Sequence, residues 1–430
     1  MLGMGSLAAV ETTSPPRTRW TAPPALVPLW SAAAAFGAYF CMYGFRKPFT
    51  ASTYDAVAIG ALDYKTLLVV AQVLGYTLSK FVGIRVIAEM PGSRRAAAFL
   101  TLIAGAQSAL LVFAVVPPPW GAALLFVNGL FLGMVFGLVL GFLEGRQVTE
   151  VLTAVLCASF ILGDGFTKSV GAALLAAGVT EAWMPSVAGI AFVLPLVSFI
   201  WMLGRIPPPS AEDVLRRQER VPMNRTARRE FFRRYAAGLV PLVVMYLLVT
   251  ILRSLRADFA PEIWQGLGAA ADASRYTTSE LVVAASVIFI TALSFLIRNN
   301  RAAFFAALAA SLVGVALVGA ATLALRYQAI DGFTFMVLVG SGLYLPYVAV
   351  HTTLFERLIA MTRERGNIGF LMYVADACGY LGYAAVACGK LFFHADGSML
   401  DFFATASLIA STASIVLLAA AWRYFGIAKR

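Results

Sequence analysis

Residues 205–234 read RIPPPSAEDVLRRQERVPMNRTARREFFRR, and this stretch divides the chain. Pro207, Pro208 and Pro209 end any helix that precedes them. Ser210-Ala211-Glu212-Asp213 then offers an N-cap with acidic residues in the first turn. The arginine-rich run that follows is predicted to form an amphipathic helix lying along a membrane surface. On both sides of it the composition turns apolar. Of 430 residues, 60% are AVILMFWYC and 13% are DEKR, and the mean hydropathy is +0.81. A soluble domain needs about a quarter of its residues charged, so most of this surface faces lipid. Disorder, a collagen repeat and a disulfide scaffold are excluded on the same grounds.

A helix needs about 20 apolar residues to cross a bilayer. Such stretches recur at 25–57, 64–84, 96–116, 120–143, 151–178, 184–204, 236–258, 277–297, 302–325, 331–355, 367–392 and 400–424. The first is too long for one simple crossing and is expected to tilt or to continue past the membrane. A β-barrel would need alternation with a period of two, which these continuous runs lack. The predicted class is therefore all-α: a polytopic membrane protein with twelve transmembrane helices in two pseudo-symmetric six-helix bundles. The expected layout is a tail over 1–23, a bundle over 24–204, a basic linker over 205–235, a second bundle over 236–425 and a tail over 426–430. The first tail has no basic start and apolar core, so it does not read as a signal peptide.

Lys and Arg set the orientation. Arg17, Arg19, Arg85, Arg94, Arg95, Arg146, the linker arginines, Arg298, Arg301, Arg357, Arg363, Arg365, Arg423, Lys429 and Arg430 fall at one side. Far fewer fall at the other: Arg46, Lys47, Lys65, Arg253, Arg256, Arg275, Arg326 and Lys390. Both termini are thus expected in the cytoplasm. The net charge of +11 does not point to nucleic acid, because its largest basic cluster is one loop between spans; topology accounts for it, and anionic lipid is its natural neighbour. On that side the sequon Asn224-Arg225-Thr226 has no use.

The halves repeat. Asp164 follows Glu144 by 20 residues, and Asp376 follows Glu356 by 20, an offset of 212 between the pairs. Arg46 and Arg253 correspond at an offset of 207. Parallel six-helix repeats are the plan of secondary transporters, with the site between the halves at mid-depth.

Charge at the bilayer centre costs at least about 2.5–3.5 kcal/mol, so such residues pair, face a water-filled cavity, or serve function. Arg46 in helix 1 and Arg253 in helix 7, at matching depth, are the candidate ligands of an anion, since guanidinium binds carboxylate or phosphate in a forked geometry. Lys80 in helix 2 is the third candidate. Asp164 and Lys168 are four apart on one helix face and either neutralise each other or act in coupling; Asp376 is a further coupling candidate. Lys47 and Arg256 are expected to snorkel to the headgroups. Gly129, Gly133, Gly137, Gly141 and Gly145 form a ridge for close packing or sliding. Gly366, Gly369, Gly379, Gly382 and Gly389 of helix 11 are interleaved with Tyr373, Tyr380 and Tyr383, which line a cavity or pack. His351 is expected as a hydrogen-bonded packing residue, and His394 lies near the outer surface. Cys41, Cys157, Cys378 and Cys388 show no CxxC or zinc spacing. No Walker, HExxH, GxSxG or EF-hand pattern occurs, so no metal, cofactor or enzymatic activity is expected.

Twelve helices, a basic central loop and internal termini resemble the major facilitator superfamily. Its loop between helices 2 and 3 is echoed loosely by Gly83, Arg85, Glu89, Arg94 and Arg95. The motifs are similar to those of the organophosphate:phosphate antiporter (glycerol-3-phosphate transporter-like) family. These are Tyr43-Gly44-Phe45-Arg46-Lys47-Pro48-Phe49 in helix 1, Tyr76-Thr77-Leu78-Ser79-Lys80-Phe81 in helix 2, Tyr246-Leu247-Leu248 through Leu252-Arg253 in helix 7, and Gly369-Phe370 with Gly379-Tyr380-Leu381-Gly382 in helix 11. The resemblance implies that Arg46 and Arg253 hold a phosphate and that Lys80 lies in the cavity. That family's helix-5 histidine has no counterpart here, where Asp164 and Lys168 stand instead. Over its whole length the chain resembles an uncharacterised bacterial facilitator-like family, notably at 40–50 and 142–146.

The expectation is a secondary transporter of the bacterial inner membrane, monomeric, working by alternating access on a small anionic solute, organophosphate or carboxylate. Phosphate or a proton is the expected coupling ion, proton coupling resting on Asp164 or Asp376. The competing reading is a sensor of the same fold that binds its ligand without moving it.

Overall fold

The computed structural model describes residues 23, 26–55, 57–59, 62–143, 146, 149–208, 225–269, 272–362, 368–392 and 398–427. The tail over 1–22, the predicted surface helix in 209–224 with Asn224, and Glu144, Gly145, Gly366 and His394 lie outside the described residues. Within them the chain is helical apart from a minimal antiparallel ladder, in which Ala58 pairs with Asp63 and Ile59 with Leu62.

The first half contains α1 (Val27–Met42), α2 (Tyr64–Glu89), α3 (Arg95–Phe113), α4 (Gly121–Leu132), α5 (Val135–Leu143), α6 (Thr149–Ala176) and α7 (Met184–Gly204). The second contains α8 (Arg225–Asp258), α9 (Ala260–Gly266), α10 (Ala273–Phe295), α11 (Asn300–Arg326), α12 (Gly332–Ala349), α13 (Phe355–Thr362), α14 (Ile368–Phe392) and α15 (Met399–Ile427). Among the described residues, ten spans are long and apolar enough to cross a membrane. The other two expected spans are present as α14, whose 25 residues rise about 37 Å, and as α1 with its continuation.

Three expected helices are interrupted. Helix 1 is α-helical only to Met42; two 3₁₀ turns, Tyr43–Phe45 and Pro48–Ala51, carry it on. It therefore does not run to residue 57 as one helix. Pro48 lacks an amide hydrogen, and Gly44 lets the Phe192 ring approach where a side chain would clash. Helix 4 divides into α4 and α5 at Gly133 and Met134. Helix 10 divides into α12, a π turn over Val350–Leu354, and α13. Pro346, inside α12, removes the donor that would have kept the ladder regular there.

Within the first half α1 packs on α6 and α7, α2 on α4, and α3 on α4 and α7. In the second half α8 packs on α14 and α15, α11 on α12 and α15, and α10 on α12. Two seams join the bundles, α6 against α10 and α2 against α14. The internal repeat carries α2 onto α10 and α6 onto α14, so each seam is the image of the other. Part of the glycine ridge packs closely on α2. A Cβ on Gly129 or Gly133 would meet the carbonyl oxygen of Gln72 or Tyr76 on α2, and one on Gly75 would meet that of Phe126. Backbone touches backbone along this contact.

Candidate functional site: two guanidiniums between the bundles

The interruption of helix 1 leaves backbone carbonyls without a helical partner, and inside lipid these must find donors. Side chains supply them. Gln72 donates from Nε2 to the carbonyl of Arg46 and to Asn128 Oδ1, each at 2.9 Å. Asn128 donates from Nδ2 to the carbonyls of Phe45 (3.1 Å) and Ala106 (3.2 Å). Helices α2 and α4 thus fix the turn that carries Arg46.

Arg46 is buried, 5% exposed, with its guanidinium carbon 3.9 Å from the centre of the Tyr76 ring and 5.6 Å from that of Tyr43. Arg253 on α8 is 8% exposed and lies 4.5 Å from the Tyr347 ring and 5.8 Å from Tyr344. Its only described side-chain hydrogen bond reaches the adjacent Ser254 at 3.5 Å. The Nε atoms of both arginines are buried without a partner. Tyr43 and Tyr380 each lie within electrostatic reach of both guanidiniums.

Among the described residues neither arginine meets a carboxylate, whereas the other buried cations all do. Lys47 pairs with Asp258 and lies 3.7 Å from Asp164. Lys65 meets Glu262 at 2.6 Å, Arg256 meets Glu280 at 2.6 Å, and Lys168 pairs with Asp164. Lys80 pairs with Asp376, a link between α2 and α14, and sits 5.4 Å from the Tyr76 ring and 4.6 Å from Tyr380. Asp376 also accepts from the Tyr246 hydroxyl and lies 3.4 Å from His351 Nε2. Among the described residues Lys80 thus has a counter-charge, and Arg46 and Arg253 have none.

A family model of unknown function, DUF5690, matches residues 48–428. The chain belongs to DUF5690. Among curated proteins no sequence matches it. Solved structures share its fold. A POT family transporter in complex with 5-aminolevulinic acid aligns over 96% of this chain and 99% of its own, with a TM-score of 0.63 at 12% identity. A bacterial homologue of the human lysosomal transporter Spinster, inward-facing and unoccupied, aligns over 95% and 97%, with 0.60 at 14%. A D-xylose–proton symporter aligns over 90% and 96%, with 0.58 at 13%. The fold of this DUF5690 member is that of the major facilitator transporters.

Two sequence expectations for the DUF5690 chain are corrected. Lys47 and Arg256 do not snorkel: both are buried, Lys47 holding Asp258 across the bundles and Arg256 holding Glu280 and the Met336 carbonyl (2.9 Å). Carboxylates on neighbouring helices keep them inside, and sequence spacing alone does not reveal partners on other helices. His351 is hydrogen-bonded, as expected, through Nδ1 to the Tyr347 carbonyl at 2.9 Å. Tyr383 packs with a partner, donating to Asp258 at 2.8 Å. Of the other helix-11 glycines, Gly379 and Gly382 face α8, where a Cβ would press on Thr250 or Leu247.

Several site residues were not singled out in sequence: Gln72, Asn128, Tyr344, Tyr347, Asp258, Glu262 and Glu280. Tyr246 was readable, because it follows Tyr39 by 207, the offset that relates Arg253 to Arg46. Asn128, a lone amide in an apolar span, was a second available signal.

Proposed function

We propose that this protein is a secondary transporter that moves a small anionic solute between its two bundles by alternating access. The observation that carries the reading is the pair of buried guanidiniums, one per bundle, left without a carboxylate while the buried cations around them are paired. Burying an uncompensated charge costs several kcal/mol even after relaxation. Cation–π contact returns about 2 kcal/mol when desolvated, which leaves each arginine short of a partner. A phosphate or carboxylate bound between them supplies it, and two forked donors suit such an anion.

Further support comes from the shape of the molecule. At the end opposite the termini, Lys47–Asp258, Lys65–Glu262 and Ser169–Thr277 (2.6 Å) tie the bundles together. A cavity of about 90 Å³ lies beside Lys80 and Asp376. Bundles tied at one end, with a cavity on the other side of those ties, suit alternating access. The organophosphate class follows from the helix-1 and helix-2 motifs, with exchange against phosphate or proton movement as the coupling.

The experiment is thermal stabilisation of the purified protein against phosphorylated sugars, glycerol phosphates, carboxylates and neutral sugars, followed by flux of each stabilising compound into proteoliposomes. Anions should stabilise and be moved. Stabilisation by neutral sugars with none by any anion would overturn the arginine clamp; binding without flux would overturn transport.

A further inference from the structure

His351 stands in the π turn between α12 and α13, a distortion that recurs at functional sites. Its Nδ1 lies 2.9 Å from the Tyr347 carbonyl. A carbonyl oxygen only accepts, so Nδ1 carries a hydrogen. The other nitrogen, Nε2, then faces Asp376 Oδ1 at 3.4 Å. In a neutral ring bearing its hydrogen on Nδ1, that nitrogen presents a lone pair to a carboxylate oxygen. The imidazolium alone donates at both positions.

Asp376 is already shared. Lys80 of the other bundle holds its Oδ2, and the Tyr246 hydroxyl holds its Oδ1. A proton on His351 therefore competes with Lys80 for the carboxylate that joins α2 to α14. Lys80, His351 and Asp376 all line the cavity of about 90 Å³, which is space enough for water. Asp376 from α14, Tyr246 from α8 and Tyr347 from α12 lie against the ring, Lys80 from α2 shares its cavity, and Tyr380 from α14 and the Cys157 thiol from α6 stand near Lys80 and Asp376. Glu356 and Arg357 follow on α13, Arg357 donating to Asn300 at 2.8 Å. The packed α11 carries charge only at its ends, in Arg301 and Arg326. Tyr347 connects this point to the clamp, its ring lying 4.6 Å from His351 and 4.5 Å from the Arg253 guanidinium.

We propose that His351 is a proton-binding site whose occupancy is passed through Asp376 to Lys80, so that a proton taken from the cavity weakens the bridge between the bundles. The use of that proton in coupling rests on the transporter reading; its binding does not. On taking up a proton at Nε2 the ring gains one positive charge and donates to Asp376. Lys80 then shares its counter-ion, and the α2–α14 seam loosens.

The chain has two histidines, so ¹⁵N-histidine spectra of the full-length protein in micelles are assigned by comparison with His351→Gln. The expected result is a ring that carries its hydrogen on Nδ1 in alkaline buffer and hydrogens on both nitrogens in acidic buffer. Asp376→Asn and Lys80→Gln should each alter the doubly protonated spectrum, because each changes what Nε2 faces. Should Asp376→Asn fail to fold, Lys80→Gln alone decides. A ring that stays in one protonation state, one that carries its hydrogen on Nε2, or spectra that ignore both substitutions would overturn the proposal. In proteoliposomes with inorganic phosphate as probe and a pH dye inside, wild type should carry protons with phosphate and His351→Gln should not. If wild type moves no phosphate, phosphate is not the coupled solute, while the spectra still decide the proton site.

Discussion

Arg46 and Arg253 owe their position to what surrounds them. Tyr76 and Tyr347 place ring faces 3.9 and 4.5 Å from the two guanidinium carbons, contacts that use the cations' charge and not their N–H donors. Arg46→Ala and Arg253→Ala should each remove the anion-dependent rise in melting temperature. Arg46→Lys should recover only part of it, because a point charge does not reproduce the forked contact. Isothermal titration with the stabilising anion checks this, with at least about a tenfold loss of affinity expected for a charged hydrogen bond of about 1.5–3 kcal/mol. Lys47, one residue on, should behave differently. Removing it leaves Asp258 buried and uncompensated, a loss of about 3–5 kcal/mol. Lys47→Ala should therefore unfold at lower temperature with or without anion, and Lys47→Met with Asp258→Asn should restore most of the midpoint. At this scale the sequence showed several of the charges inside the bundles, and it marked the arginine pair through their common offset. It did not show Lys47 buried, because its partner lies 211 residues away and only the packed bundles bring the two together.

The elements explain how the site is held. The 3₁₀ passage in helix 1 exists because Pro48 and the crowded Gly44 interrupt the ladder, and it is tolerated because Gln72 and Asn128 satisfy the exposed carbonyls. Asn128→Leu or Gln72→Leu leaves at least one of them unsatisfied, at about 1–3 kcal/mol each. Both variants should weaken anion binding without touching the anion, which the same titration would register. The contact of α2 with α4 is equally constrained. Gly75→Ala and Gly129→Ala push a Cβ into a backbone carbonyl, with an expected destabilisation of about 1–3 kcal/mol. Gly389→Ala, with open space at its Cβ, should leave the melting temperature unchanged. The spans themselves were legible from apolar length, and their ends fall within a few residues of the described helices for α11, α14 and α15. The interruptions in helices 4 and 10 were not, because glycine and proline mark where a break is permitted, while the packing of a neighbouring helix decides whether it occurs.

At the scale of the whole molecule, the two seams are related by the internal repeat but carry different chemistry. The α6–α10 seam includes Ser169 and Thr277 toward the end away from the termini; the α2–α14 seam carries the Lys80–Asp376 bridge. A transporter must open the first when it closes the other end. Replacing Ser169 and Thr277 by cysteine puts two thiols where the hydroxyl oxygens lie 2.6 Å apart. Oxidation of that variant should abolish flux of the stabilising anion into proteoliposomes, and a reductant should restore it. Flux that persists with the crosslink formed would show that this seam need not part.

By itself the sequence determined the solvent and the architecture. Lipid demands about 20 apolar residues per crossing and a satisfied backbone, and those demands are local, so they are written along the chain. The repeat added the pairing of halves. Which buried charges remain without a counter-ion was decided only in the tertiary structure. Nothing in the sequence shows that Lys47, Lys65, Lys80 and Arg256 have carboxylate partners. Their carboxylates come from other helices, and Coulomb attraction depends on distance through space, which the order of residues does not record.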